Sequence, residues 1–371
     1  MHISGVLIAI IAHCLIGISL IWDKILLEET ASQSVTNYVF WLGAMSVFGS
    51  ILAVFGMKLP PLPVTLIAFG AGILHLIANY FYYWALKSGE ASETLSIMGG
   101  FAPIATALIG IPILGSFLSG PELWGFLLMV AGGFLMFSSD KIRMIPTLPL
   151  VLLAAGFFGL TNVLQKWAFD GTGFITGYVF FTIGTFACSL FLLIRGKWRQ
   201  EIFSQSERAQ PKNKKLYFIN RFISGVGSFL VLFAISRANP AVVSAIAGLR
   251  YAIIFLAAYL ITKYKPQWLR ETFRGWTLTA KSVATILVVA GLILVGLSGR
   301  GGSGGGPSAS IAGRPAARLA GFPPALLSDR IFRHGKHDHP VAGDFHLGFG
   351  RACFGAVAES SDAWHSAPAG W

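Results

Sequence analysis

The stretch "GISLIWDKILL" (residues 17–27) returns 142 positions later as "GLTNVLQKWAF" (residues 159–169), with Gly17 and Lys24 matched by Gly159 and Lys166. Two further pairs follow in the same order. "SIMGG" (residues 96–100) pairs with "SAIAG" (residues 244–248), and "LLMVAGGFLM" (residues 127–136) pairs with "ILVVAGLILV" (residues 286–295). The offset grows to 148 at Gly100 and Gly248 and to 159 at Gly132 and Gly291, as it does when the second copy gains loop residues. Three matches in register mark an internal repeat, which governs the fold as a whole.

Each copy is built from apolar runs. The chain has 371 residues, 54% hydrophobic and 12% charged, with a mean hydropathy of +0.68. A soluble domain carries roughly twice that charged fraction. A bilayer span takes about 20 mostly apolar residues. Ten segments qualify, at roughly 3–22, 36–56, 63–86, 93–117, 121–139, 146–168, 174–195, 216–236, 240–262 and 281–298. Trp22, Tyr38, Trp41, Trp84, Trp124, Trp167 and Tyr217 gather near their ends, as interfacial aromatic residues do. The first run is full span length and lacks a basic leader, so it reads as a span and not as a cleaved signal. Ser96 with Gly100, Ser224 with Ser228, and Ser244 with Gly248 supply the small-residue steps on which helices pack in lipid.

Five spans per copy is an odd number, so the second copy enters the membrane in the opposite sense. The expected fold class is therefore an all-α integral membrane protein of ten transmembrane helices, arranged as two inverted five-helix repeats. Residues 1–140 form the first repeat, 141–299 the second, and 300–371 a tail. Folds of this kind hold a substrate site near the midplane and alternate its access by rocking one repeat against the other.

The residues that follow resemble one family. "YYWALKSGEASETLSIMGGFAPIATALIGIPILG" with "PELWGFLLMVAGGFLM", and again "FAISRANPAVVSAIAGLRYAIIFLAAYL" with "KSVATILVVAGLILVGL", are similar to the drug/metabolite transporter superfamily, in particular its EamA-type members. The resemblance covers roughly residues 1–299. It implies a cavity lined by spans 1 to 4 and 6 to 9, with spans 5 and 10 peripheral and available for homodimer contacts. One departure stands out. The family's Leu-Gly-Glu after the fourth span is replaced by "LGSFLSGPE", which leaves Glu122 as the nearest acid. That glutamate's role is not carried over.

Polar groups inside spans are candidate functional groups, because hydrocarbon offers them no hydrogen-bond partner. His13 lies in span 1, His75 and Asn79 in span 3, and Arg250 in span 9. His75 and Asn79 are four apart and share a face, which Tyr82 and Tyr83 continue. Asn162 and Gln165 precede Lys166 in span 6, and Asn220, Arg221, Ser224 and Ser228 form a stripe in span 8. Lys24, Lys166 and Arg221 sit near span ends, where a long side chain reaches the headgroups. Arg250 is too deep for that. Asp23, Glu93, Glu122 and Asp170, the acids nearest the spans, lie at span ends. A deep arginine is satisfied by carbonyls and water, or by an anion that comes and goes, and guanidinium suits two-point contact with carboxylate or phosphate. The expected substrate-binding set is Arg250, His75, Asn79, His13, Asn162, Tyr83 and Ser224. A structural arginine capped by carbonyls of an unwound turn is the competing reading.

The expected function is secondary transport of a small organic metabolite, anionic or zwitterionic. No phosphate-binding loop of the GxxxxGK[ST] type occurs, so ATP-driven pumping is not expected. For proton coupling the candidates are His13 and His75, with Glu93 at the entrance of span 4. Exchange of two substrates needs none of them. No catalytic residue, cofactor or metal is expected. A lipid-linked transferase calls for clustered acids or a nucleophile with its base, and a scaffold has no use for midplane polar groups. The net charge of +12 sits in loops and tail, which points to a bilayer and a small-molecule substrate and away from nucleic acid. The expected location is an inner or plasma membrane. The charge count puts both termini outside, whereas the resemblance implies cytoplasmic termini. Cys14, Cys188 and Cys353 are too scattered for a disulfide framework. From Arg300 onward a Gly/Ser-rich linker gives way to a tail with five of the eight histidines. "HGKHDH" (residues 334–339) reads as tail composition before it reads as a metal site, and the whole tail is expected to be disordered.

Overall fold

The computed structural model describes residues 5–29, 34–88, 91–118, 120–138, 147–208, 211–250, 253 and 276–301. All of them fall in the first of two compact units, Met1–Ser310. The expected disordered tail lies outside the described residues, as does most of span 9 beyond Arg250. So do the side chains of Lys24, Glu93 and Ser96.

The described residues form helices joined by short turns and loops, with no strand among them. The elements are α1 (Gly5–Glu29), α2 (Val35–Met45), α3 (Leu62–Ser88), α4 (Ala91–Leu114), α5 (Gly120–Ser138), α6 (Leu148–Thr172), α7 (Phe174–Phe191), α8 (Gly196–Arg208), α9 (Pro211–Arg237), α10 (Pro240–Ala245) and α11 (Trp276–Gly301). Seven helices among the described residues are long and apolar enough to cross a membrane. Shorter apolar helices at Gly120–Leu135, Pro240–Arg250 and Ser282–Val295 occupy the positions of spans 5, 9 and 10. Leu7, Ile11, Ile18, Leu108, Trp124, Ile286 and Ile293 are exposed on the outer surface. Such a large outward apolar surface belongs against lipid.

Local chemistry sets the helix ends. Ser34 Oγ accepts the Asn37 N–H at 3.0 Å to cap α2, and Asn239 Oδ1 accepts the Ala241 N–H at 2.9 Å to cap α10. Two features depart from the expected spans. The second half of span 2 is a 3-10 segment, Ser46–Phe55. There Ser46 and Ser50 donate their hydroxyls to the carbonyls of Gly43 and Val47, both at 2.6 Å, a local bond that competes with the α-helical ladder. The long basic loop after span 7 is not wholly irregular, because it holds α8. That helix buries Ile202 while Lys197 and Arg199 stay exposed, an amphipathic arrangement.

Glycines set the closest helix approaches, as expected where lipid gives no hydrophobic drive between helices. A Cβ at Gly72 would meet Phe181 O, and one at Gly184 would meet Phe69 O, so the α3–α7 seam is closed backbone to backbone. The repeat glycines play matching parts. A Cβ at Gly159 would stand 2.8 Å from Thr106 N of α4, and one at Gly17 would stand 3.4 Å from the Arg250 Cα of span 9. Helices α5 and α11 run antiparallel. A Cβ at Gly132 would lie 2.8 Å from Ala284 O and from Val288 Cγ2, while one at Gly291 would lie 2.6 Å from Gly125 O and 2.8 Å from Met129 Cγ. Residues 125 and 284, 129 and 288, and 132 and 291 are each 159 apart. Each contact is therefore the image of the other.

Candidate functional site

A cavity of about 520 Å³ lies among α1, α2, α3, α4, α6, α7, α9 and the start of span 9. Its size is that of a small-molecule site. His13, His75, Asn79, Tyr83, Asn162, Ser224 and Arg250 all line it, so the structure brings the seven expected binding residues to one space.

At mid-depth the cavity wall carries a histidine–arginine pair. Arg250 Nε donates to His13 Nδ1 at 2.8 Å, and His13 Nε2 donates to the Val243 carbonyl at 2.9 Å. One ring nitrogen accepts while the other donates, a pattern met by neutral imidazole with its proton on Nε2. Arg250 follows a tightened stretch in which the N–H groups of Ala247, Leu249 and Arg250 donate to Ser244, Ile246 and Ala247 carbonyls at 2.9–3.1 Å. These are three-residue bonds, and a short 3-10 stretch within a span often accompanies a functional position.

Across the cavity, His75 is flanked edge-on by the rings of Phe158 and Phe181, at 5.6 and 5.2 Å. Asn79 Nδ2 donates to the His75 carbonyl at 2.8 Å. Asn162 Nδ2 reaches Thr106 Oγ1 at 3.4 Å, and Thr106 Oγ1 donates toward Ser244 Oγ at 3.5 Å. Gln165 is 1% exposed, lines the cavity, and has neither amide atom hydrogen-bonded among the described residues. A buried amide without partners marks a place where a ligand or water belongs.

One end of the cavity corrects the sequence reading. Arg221, expected to snorkel, and Asp23, placed at a span end without a role, are both buried and form an ion pair, with side chains 4% and 1% exposed. Tyr38 OH and Asn220 Nδ2 each donate to Asp23 Oδ1 at 2.5 Å. Tyr83 OH donates to Oδ2 at 3.1 Å. The guanidinium lies 5.1, 5.6 and 6.0 Å from the ring centroids of Tyr38, Tyr217 and Tyr83. The reason is geometric. Helices α1 and α9 are antiparallel neighbours, so the end of one meets the start of the other at the same depth. The network ties α1, α2, α3 and α9 together, about 15 Å along α1 from His13 at 1.5 Å per residue. Sequence reading missed it because the partners stand 198 residues apart. An acid and a base at equal depth on spans 1 and 8 was the available signal.

Lys166 lies near the C-terminal end of α6. Its ammonium donates to Ser236 O at 3.2 Å and pairs with Asp170 at 2.9 Å. Glu122 lies in the first turn of α5, away from the cavity lining. Among the described residues no His, Cys, Asp and Glu cluster has metal-site geometry.

No curated protein matches the chain in sequence. A solved crystal structure of a protein, 17% identical, superposes with a TM-score of 0.54 over 80% of this chain and 98% of the other. At that identity the likeness is one of fold. Residues 3–138 match the model of the EamA-like transporter family, which belongs to the drug/metabolite transporter superfamily. With its apolar helices in multi-span order, the chain is a multi-pass integral membrane protein whose first 138 residues are similar to the EamA-like family.

Proposed function

We propose that the protein is a secondary transporter that moves a small organic metabolite, anionic or zwitterionic, by alternating access between two inverted five-helix repeats. The observation that carries this reading is the charge of the cavity wall. Among the described lining residues, Arg221 and Arg250 face a single carboxylate, Asp23. The Arg250 guanidinium on that wall suits two-point contact with a carboxylate or phosphate. Gln165 adds a buried amide with capacity to donate and accept. The image-related glycine contacts of α5 and α11 support the inverted repeat, on which rocking of two similar halves rests. The proposed location is a cell or inner membrane.

The test is solute flux into proteoliposomes made with the full chain, screening amino acids, organic anions and sugar phosphates. Saturable uptake of an anion or zwitterion, lost in Arg250→Ala and reduced in Arg250→Lys, is the expected result. Undiminished uptake in both variants removes Arg250 from the site. Absence of flux for the whole panel counts against transport.

A further inference from the structure

Among the described residues, the exposed part of the cavity lining lies near the middle of its spans. Among the described residues, every exposed lining residue belongs to one of two elements: Phe48 on the 3-10 segment of span 2, and Phe222, Gly225 and Val226 on α9. Phe48 and Phe222 are 64% and 71% exposed. Val226 is the central residue of the span Lys215–Arg237, so this exposed lining, the mouth of the cavity, lies at mid-depth, where lipid chains lie.

The mouth is bounded along both directions of the membrane normal. On one side Tyr217 OH donates to Tyr38 O at 3.1 Å, and the rings of Trp41 and Phe218 meet at 6.4 Å. On the other, Phe229 packs on Tyr178 and Phe174 at 5.3 and 5.4 Å. The seam on the opposite face behaves differently. Between α3 and α7 the glycines Gly72 and Gly184 bring backbones together, whereas a Cβ at Gly225 would meet nothing within 4 Å.

From this we infer that the transported solute is an amphipathic anion, with a charged head held at Arg250 and a single apolar chain leaving between Phe48 and Phe222 into lipid. The inference rests on the transport reading above and narrows its substrate class. A wholly hydrophilic solute gains nothing from an apolar mouth at mid-depth. An acyl or alkyl chain gains its full transfer free energy by staying in hydrocarbon while the head is transported. The cavity's volume suits a head and part of one chain.

The test is counterflow in phosphatidylcholine proteoliposomes of the full chain, comparing radiolabelled methyl phosphate with octyl phosphate. Octyl phosphate is expected to move saturably, at least tenfold faster than methyl phosphate at equal free concentration, and to lose that flux in Arg250→Ala. Gly225→Trp narrows the mouth at a position with room for a side chain and should cut octyl phosphate flux at least fivefold. Gly70→Trp, also with open space around it and off the cavity lining, is expected to leave it unchanged. Equal or faster movement of methyl phosphate, or an unaffected Gly225→Trp, overturns the inference. So does transbilayer movement of a fluorescent two-chain phosphatidylglycerol in place of octyl phosphate, which assigns the mouth to bilayer lipid. If the wide panel yields a hydrophilic substrate and octyl phosphate stays put, this inference falls and the transport reading stands. If nothing moves in either experiment, both fall.

Discussion

Arg250 and His13, 237 residues apart in the chain, are joined by a 2.8 Å hydrogen bond from the guanidinium Nε to the imidazole Nδ1. The histidine is in turn held by the Val243 carbonyl, so the orientation of the arginine is set by a ring that is itself fixed. His13→Asn keeps an oxygen acceptor near the position of Nδ1, while His13→Leu removes it. Uptake of the substrate found in the flux screen should fall at least tenfold in His13→Leu and less in His13→Asn. Equal loss in the two would mean that ring packing, and not the acceptor, is what matters.

The Asp23–Arg221 pair allows a stability test that needs no substrate. Removing one member of a buried pair strands the other, at a cost of about 3–5 kcal/mol. Asp23→Leu and Arg221→Met should each lower the thermal unfolding midpoint of the purified protein in detergent. Together they should recover much of the loss, since replacing both charges by apolar groups is often close to neutral. Single variants as stable as the parent would show that the network contributes nothing to the folded state.

The α3–α7 seam makes a sharper steric prediction. At Gly184 a Cβ would run into the Phe69 carbonyl, a backbone atom that no rotamer change can move. Gly184→Leu should abolish recovery of monodisperse protein, because overpacking costs about 1–3 kcal/mol even where neighbours can adjust. Gly70→Leu, one helix face away with open space around it, should behave as the parent. Size-exclusion profiles of the two variants decide the matter.

Image-related contacts should carry similar energies. Gly132→Val meets Ala284 O and Val288, and Gly291→Val meets Gly125 O and Met129. Their losses of stability in detergent should agree within about 1 kcal/mol, the scale of ordinary context effects on core substitutions. A gap several times larger would argue that α5 and α11 are not equivalent partners.

Much of this architecture is legible in the sequence, because lipid imposes simple rules. Apolar length alone locates the spans, and the repeat-matched glycines Gly132 and Gly291 lie in image-related contacts between α5 and α11. The candidates at His13, His75, Asn79, Asn162, Tyr83, Ser224 and Arg250 share a cavity because mid-span polar groups turn away from hydrocarbon. What stayed hidden depends on which helices are neighbours. Asp23 and Arg221 look like ordinary span-end charges until α1 and α9 are laid side by side. The 3-10 turn at Ser46–Phe55 follows from serine hydroxyls choosing local carbonyls, a competition that hydropathy does not register. Gln165 was visible as a polar residue, but its lack of partners follows from the packing of α6.

The buried knot of Asp23 and Arg221 also binds the history of the two positions. A lineage that loses either charge first must pass through a protein with a stranded ion in oil, a step that selection removes. Positions 23 and 221 should therefore drift as a couple or not at all. Relatives that have traded the acid for a neutral residue should have surrendered the arginine too.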